Sequence, residues 1–190
     1  MNRKERPRNI AASVRARLTQ RAHDRQENVQ LALMRYAIER LLYRLGLSSH
    51  REKFVLKGAM LFSLWAPTPY RSTGDLDLLG FGDPAPERIV SVFREICLLA
   101  AADDGVVFNA ETIRAQAARL EEEYSGIRLT LDAEIAGARL PLQIDIGFGD
   151  VVTPGIQDID YPSLLGMPLP HLRAYPPETV VAEKLQALVA

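Results

Sequence analysis

Two stretches with apolar residues at every second position, 126–135 and 139–148, constrain the fold most strongly. In the second stretch, four aliphatic side chains take one side, and Gln143 and Asp145 take the other. A period of two is typical of a β-strand with one buried face. The small residues at 136–138 join the two stretches and favour a hairpin. The chain is therefore expected to contain a sheet with one apolar side and one polar side that carries a carboxylate.

The other segments combine helical periodicity with short strands. We predict helices at 10–23, 27–46, 87–101 and 177–190, and short strands at 54–56 and 75–79. Residues 151–176 contain five prolines and no clear period, so we expect mostly loop there. Helices and strands within one chain of 190 residues predict a single α+β domain.

We expect three parts along the chain: basic N-terminal helices at 1–53 packed on the core, the core itself at 54–150, and a loop with the start of a C-terminal helical region at 151–190. Residues 1–53 contain 13 Lys or Arg and 5 Asp or Glu, whereas residues 54–190 contain 10 and 19. A basic arm on an acidic body suits a polyanion bound beside a carboxylate-rich site. Paired and solvated helix faces produce the same imbalance, and that interpretation stays open.

Composition excludes several classes of protein. Apolar residues make up 47% and charged residues 25%, which is typical of a globular rather than a disordered chain. The single cysteine, Cys97, excludes an intrachain disulfide and a cysteine-based zinc site, and it favours a reducing, cytoplasmic compartment. No apolar run approaches the roughly 20 residues of a membrane span, so we expect no membrane partner.

Asp75 and Asp77 form the clearest candidate site. Residues at i and i+2 of a strand project from the same face, about 7 Å apart, so their carboxylates repel each other. A hard divalent cation such as Mg²⁺ relieves that repulsion with oxygen ligands. Asp145 is a third acid, isolated among apolar neighbours on another predicted strand. The alternative is an ordinary amphipathic strand, with all three acids on a solvated surface.

Lys57 and Gly58 precede this acidic strand along the chain. Gly58 follows a short strand and opens a predicted helix. The N–H groups at a helix start can approach a phosphate, and the helix dipole favours an anion there. The order of strand, glycine-opened helix, loop and Asp-x-Asp strand therefore predicts a phosphate beside the acidic pair.

These motifs together resemble a known family. Phe-Val-Leu-Lys-Gly-Ala-Met-Leu-Phe (54–62), followed by Arg-Ser-Thr-Gly-Asp-Leu-Asp-Leu (71–78), resembles the AbiEii/AbiGii-type toxin nucleotidyltransferases of the DNA polymerase beta-like superfamily. Leu-Gln-Ile-Asp-Ile-Gly-Phe (142–148) is similar to the family's third-carboxylate strand, and residues 176–188 are similar to its Glu-Lys helix. The resemblance implies a nucleotidyltransferase-like mixed β-sheet flanked by helices.

The resemblance also implies roles for individual residues. Asp75, Asp77 and Asp145 would be the catalytic acids and the ligands of Mg²⁺. Lys184 would be the catalytic lysine that contacts the nucleotide phosphates.

Four further residues are substrate-binding candidates. Lys57 and Gly58 would lie near the triphosphate. Arg71 is placed to reach a phosphate, with a solvated loop arginine as the equal alternative. Thr73 is included with them, although a local hydrogen bond in the loop explains it as well.

The function implied is an Mg²⁺-dependent nucleotidyltransferase toxin of a type IV-like toxin–antitoxin or abortive-infection system. It would transfer NMP from NTP to an acceptor, either tRNA or another RNA, and a cognate antitoxin protein would be its partner. The family continues into a helical segment with a Lys-Asp motif that is not among these 190 residues. The alternative is therefore a truncated, non-catalytic remnant that binds a nucleotide or a partner. A DNA-binding domain is a weaker hypothesis, because the N-terminal helices lack a helix-turn-helix turn.

Overall fold

The computed structural model describes residues 9–65, 74–101, 103–119 and 125–189. The helices are α1 (Ile10–Asp24), α2 (Val29–Leu47), α3 (Phe62–Trp65), α4 (Pro86–Leu98) and α5 (Pro177–Val189). The strands are β1 (Phe54–Lys57), β2 (Asp75–Gly80), β3 (Val107–Arg119), β4 (Ser125–Ile135), β5 (Ala138–Phe148), β6 (Gln157–Asp160) and β7 (His171–Ala174). The α+β fold is confirmed. None of the helices in these ranges is long and apolar enough to cross a membrane.

All seven strands belong to one mixed sheet, in the order β3-β4-β5-β2-β1-β7-β6. β5 pairs with β2 in parallel, and β1 pairs with β7 in parallel. The other neighbours are antiparallel. The strand with Asp75 and Asp77 and the strand with Asp145 are therefore adjacent at the centre of the sheet, although about 60 residues separate them along the chain.

The apolar side of the sheet is covered by helices. The aliphatic side chains of β5 are at most 1% exposed, and they belong to one core with α1, α2 and α4. Asn9 and Asn28 cap α1 and α2 by accepting hydrogen bonds from backbone N–H groups of the first turn. Gly46 lies in the last turn of α2. A Cβ at this position would lie 2.6 Å from the carbonyl oxygen of His171, so only glycine fits there. This glycine lets β7 approach the helix closely.

The segment after the predicted core adds two short strands to the sheet. Residues 151–176 are mostly loop, as expected, but they also contain β6 and β7, which were not predicted, and β7 joins the central sheet through β1. Strands of four residues flanked by prolines are too short to show a period. The boundary at residue 150 stays a prediction, since one sheet contains strands from both sides of it.

Part of the basic charge of the N-terminal helices is buried. Arg40 is 1% exposed and pairs with Glu39 at 2.8 Å, and Arg44 pairs with Asp104 at 2.7 Å. These two arginines stabilise the packing of α2 and are not available to a polyanion. Among the described residues of this segment, Arg15, Arg17 and Arg21 lie on α1.

Candidate active site

A row of four charged side chains crosses the centre of the sheet, on the side opposite the aliphatic residues of β5. Lys57 on β1 is opposite Asp77 on β2. Asp77 is opposite Asp145 on β5, and Asp145 is opposite Arg128 on β4. Directly opposed residues on neighbouring strands share a face. The fold therefore places two carboxylates between two cations.

A second row lies next to the first. Asp75, two residues before Asp77, is opposite Gln143 on β5. Gln143 is opposite Thr130 on β4, and Thr130 is opposite Arg114 on β3. This row is polar throughout, so the open side of the sheet presents hydrogen-bonding groups across four strands.

Asp77 is the most perturbed acid of the site. Its pKa is raised from 3.8 to about 6, first by burial and then by the negative charge of Asp145. Asp75 raises the pKa further, whereas Lys57 and Lys184 lower it. The other three predicted catalytic residues therefore lie within electrostatic reach of Asp77. Such crowding of carboxylates makes a cation at this point favourable.

Asp145 is held by its neighbours. Arg128 donates from Nε to Oδ1 at 2.8 Å and from Nη2 to Oδ2 at 2.9 Å, and Gln143 donates to Oδ2 at 3.1 Å. This two-point pairing fixes the orientation of the carboxylate. Within the described ranges, no three His, Cys, Asp or Glu side chains are already grouped as a metal site. Arg128 therefore competes with a cation for the oxygens of Asp145.

The ammonium group of Lys57 is bound by two acids outside the charged row. Its ammonium group donates to Asp150 Oδ2 at 2.6 Å and to Glu183 Oε1 at 3.1 Å. Asp150 also accepts from the hydroxyl of Tyr175 at 2.7 Å. Burial alone lowers the pKa of Lys57, but the hydrogen bond to Asp150 and the charge of Glu183 outweigh it, so the pKa is raised. The network joins β1, the exit of β5 and α5.

Gly58 lies directly against Asp77. Its φ is +74°, which side chains disfavour, and a Cβ at this position would be 2.2 Å from Oδ2 of Asp77. The glycine is therefore required both by the turn and by the space that Asp77 occupies. Instead of the continuous helix we expected, a 3₁₀ turn at Gly58–Leu61 leads into the short α3.

We expect Gly58→Ala to lower the nucleotidyl transfer that the sequence motifs imply by about 100-fold, because the new methyl group displaces the Asp77 carboxylate by roughly 1 Å. Gly82→Ala is the matched control, since Gly82 also has a positive φ of +100° but nothing lies within 4 Å of its Cβ position. Initial rates of nucleotide transfer from a radiolabelled NTP, compared between the two variants, measure the effect. Equal rates for both would show that contact with Asp77 does not matter.

The remaining predicted residues are placed as follows. Lys184 is exposed on α5, beside Glu183. Arg71 and Thr73 lie outside the described residues. Their roles stay predictions.

A cavity of about 580 Å³ opens beside the acids on the polar side of the sheet. Its walls come from β2, β3, β4 and β5. They include Asp75, Gln143, Thr130, Arg114 and Arg139. A cavity of this size holds a small ligand. One end of it is therefore formed by the same residues as the second polar row.

Three residues of the site were missed by sequence reasoning. The sequence predicts Asp150 and Glu183 to be surface acids, because their partner Lys57 is more than 90 residues away in the chain. Arg128 could have been found: the two-residue turn at Ala136–Gly137 pairs Ile135 with Ala138, and counting back from it pairs residue 128 with residue 145.

Comparison with known proteins agrees with this fold. Residues 40–190 match the family model of the nucleotidyl transferase AbiEii toxin of type IV toxin–antitoxin systems. None of the curated proteins is similar enough in sequence to match.

Two solved structures from Helicobacter pylori are similar in fold, a candidate nucleotidyltransferase and the protein JHP933. Their sequence identities to this chain are 14% and 13%, and both TM-scores are 0.52. Each comparison covers 83% of this chain but 59% and 57% of the other, so this chain spans less than two thirds of their length. The family model covers most of the chain and confirms the resemblance of the motifs: the chain belongs to the AbiEii family of nucleotidyl transferase toxins.

Proposed function

We propose that this protein transfers NMP from an NTP to an RNA acceptor, with tRNA as the first candidate, and that it acts as the toxin of a type IV system. The observation that carries the proposal is the pairing of Asp77 with Asp145 across adjacent strands, with Asp75 on the same face. The proposal includes a cognate antitoxin as partner and the cytoplasm as compartment.

The donor set suits Mg²⁺. Asp75 and Asp77 offer hard carboxylate oxygens, and burial together with the negative charge of Asp145 raises the pKa of Asp77 to about 6, so a cation beside it would be favourable. Asp75, Asp77 and, after release from Arg128, Asp145 would hold the ion. When bound, it would neutralise charge on the triphosphate and polarise the α-phosphate.

The transfer step requires a proton acceptor and groups that stabilise charge on the phosphates, and individual side chains would fill these roles. The acceptor hydroxyl attacks the α-phosphorus, a new P–O bond forms, and the bond from that phosphorus to the β-bridging oxygen breaks to release pyrophosphate. Asp145 accepts a hydrogen bond from the hydroxyl and takes its proton on a carboxylate oxygen. Lys184 stabilises charge on the phosphates, and the N–H groups of the Gly58 turn support it. The cavity next to Asp75 receives a nucleoside.

The test is label transfer to total tRNA from each of the four α-³²P-labelled NTPs with Mg²⁺. We expect one NTP at least to label the RNA, and we expect Asp75→Asn to abolish the labelling. Asp160→Asn is the matched control, because Asp160 is an exposed strand acid outside the site, with a side chain 65% exposed. Binding of NTP without transfer to RNA would contradict the proposal and favour a non-catalytic nucleotide-binding role.

A further inference from the structure

A stripe of three arginines runs along α1 to its C-cap, which is Arg25. Arg17, Arg21 and Arg25 follow one another at intervals of four residues, just as the buried residues Val14, Leu18 and Ala22 do on the adjoining stripe. Like charges at this spacing destabilise a helix by a few tenths of a kcal/mol for each pair. The stripe is therefore a cost that helix formation alone does not explain.

None of these three arginines makes an ion pair with any residue that the structure describes. Three arginines of α2 differ, because Arg35, Arg40 and Arg44 pair with Glu27, Glu39 and Asp104. Arg17 donates to the carbonyl oxygen of Leu165, which leaves its charge uncompensated. Asp24, the nearest acid in sequence, accepts a hydrogen bond from Gln20 at 2.7 Å.

The stripe forms one wall of a concave cleft of about 490 Å³, which we call the α1 cleft. Its lining is Arg17, Gln20, Arg21, Asp24, Arg25, Leu164 and Leu165. Arg21 is half-buried, and its pKa is lowered first by burial and then by the charge of Arg25, while Glu27 and Glu39 act in the opposite direction. Positive charge is thus concentrated where solvent is partly excluded, and an anion would relieve it.

The α1 cleft connects to the active site through a short loop. Leu164 lines the cleft, and Tyr161, three residues earlier, donates its hydroxyl to the carbonyl oxygen of Met60 in the Gly58–Leu61 turn. Three residues of chain span at most about 11 Å. Leu164 is fixed in place because its N–H donates to Glu39 at 2.7 Å. Leu164 is therefore linked to α2 through Glu39 and, through Tyr161, to the turn that contains Gly58.

We propose that Arg17, Arg21 and Arg25 bind the phosphodiester backbone of the RNA acceptor in the α1 cleft. This rests on the proposed function only for the identity of the RNA as acceptor. Guanidinium groups bind phosphate by two parallel hydrogen bonds, and four helical residues rise about 6 Å, which is comparable to the separation of successive phosphates. A concave cleft with a leucine floor accommodates a single strand and excludes a flat membrane surface.

The test is binding of fluorescently labelled bulk tRNA, measured by fluorescence anisotropy over a range of NaCl concentrations. The variant is Arg21→Gln with Arg25→Gln, which leaves Arg17 and its hydrogen bond to Leu165 in place. The matched control is Arg88→Gln with Arg94→Gln, which removes the same charge from exposed positions of α4. Thermal melting of both variants verifies that they are folded.

We expect the cleft variant to bind tRNA about tenfold more weakly, with a slope of log K against log[NaCl] that is smaller by about 2, and the control to match the wild type. In the transfer assay the KM for tRNA should rise about tenfold, with kcat unchanged. Equal losses in the two variants, or no change in the cleft variant, would overturn the proposal. So would binding to phosphatidylserine vesicles that is lost in the cleft variant while tRNA binding is retained.

The outcomes also separate this proposal from the proposed function. If no NTP labels tRNA but the cleft variant alone loses tRNA binding, the transferase proposal fails and RNA binding in the α1 cleft is supported. If label transfer proceeds with the same KM in the cleft variant, the transferase stands and the α1 cleft proposal fails.

Discussion

Replacing Asp77 by asparagine is expected to reduce nucleotidyl transfer by at least about 10³-fold, equivalent to about 4 kcal/mol of transition-state stabilisation. Asp77 lies between Lys57 and Asp145 in the charged row, and its side chain fills the space that a Cβ at Gly58 would occupy. The amide keeps the shape but removes the charge that a cation requires. Initial rates of label transfer, with Asp160→Asn as control, measure the loss.

The same substitution should stabilise the metal-free protein at neutral pH. The pKa of Asp77 is about 6 in the folded state and near 3.8 in the unfolded chain, so folding favours the protonated form. The stability that the protonated Asp77 side chain contributes is complete below about pH 4 and is lost as the pH rises through about 6. We expect Asp77→Asn to raise the free energy of unfolding by about 2 kcal/mol at pH 7.5 and by much less at pH 4.

Urea denaturation in EDTA at both pH values measures this difference. A variant that is less stable than the wild type at pH 7.5 would show that the Asp77 carboxylate is compensated by the protein itself. In that case the electrostatic argument for a cation fails, whatever happens to the rate.

Replacing Lys57 by methionine is expected to lower the free energy of unfolding by about 3 kcal/mol, because it leaves two partly buried carboxylates without their cation. The side chains of Lys57 and Asp150 are 18% and 17% exposed. Glu183 is 31% exposed and can turn toward solvent, so most of the loss should come from Asp150. Transfer should also fall, because the same network fixes α5, which carries Lys184.

A double-mutant cycle separates the pair from the single residues. Lys57→Met combined with Asp150→Asn removes both charges, and we expect it to recover at least 1 kcal/mol of the loss. Lys57→Met with Glu183→Gln is the comparison and should recover less. Strict additivity in both cycles would mean that the two ion pairs do not stabilise the fold.

The sequence predicted the parts of the fold that local periodicity determines. α1, α2 and α4 have regular apolar stripes, and the strands with Asp77 and Asp145 alternate cleanly, so each was found within a few residues of its ends. β3 was not found as a long strand, because residues 110–123 are rich in alanine and polar residues and have no dominant period.

Tertiary contacts explain what was missed. Arg40 and Arg44 look like solvated helix residues until their partners, supplied by the fold, bury them. The acids at 75 and 77 were visible as a pair, because spacing within one strand determines which face they share. Their relation to Asp145 depended on strand order, which the family resemblance supplied and local patterning did not.

The most direct test of the central claim is titration of Mn²⁺ into the protein with a non-hydrolysable NTP analogue, followed by electron paramagnetic resonance. The account predicts that the wild type removes free Mn²⁺ from solution with saturable stoichiometry, and that Asp75→Asn and Asp77→Asn each weaken this binding at least tenfold while Asp160→Asn does not. If all four proteins bind Mn²⁺ equally, the acids of the central sheet are not the metal site and the assignment is wrong.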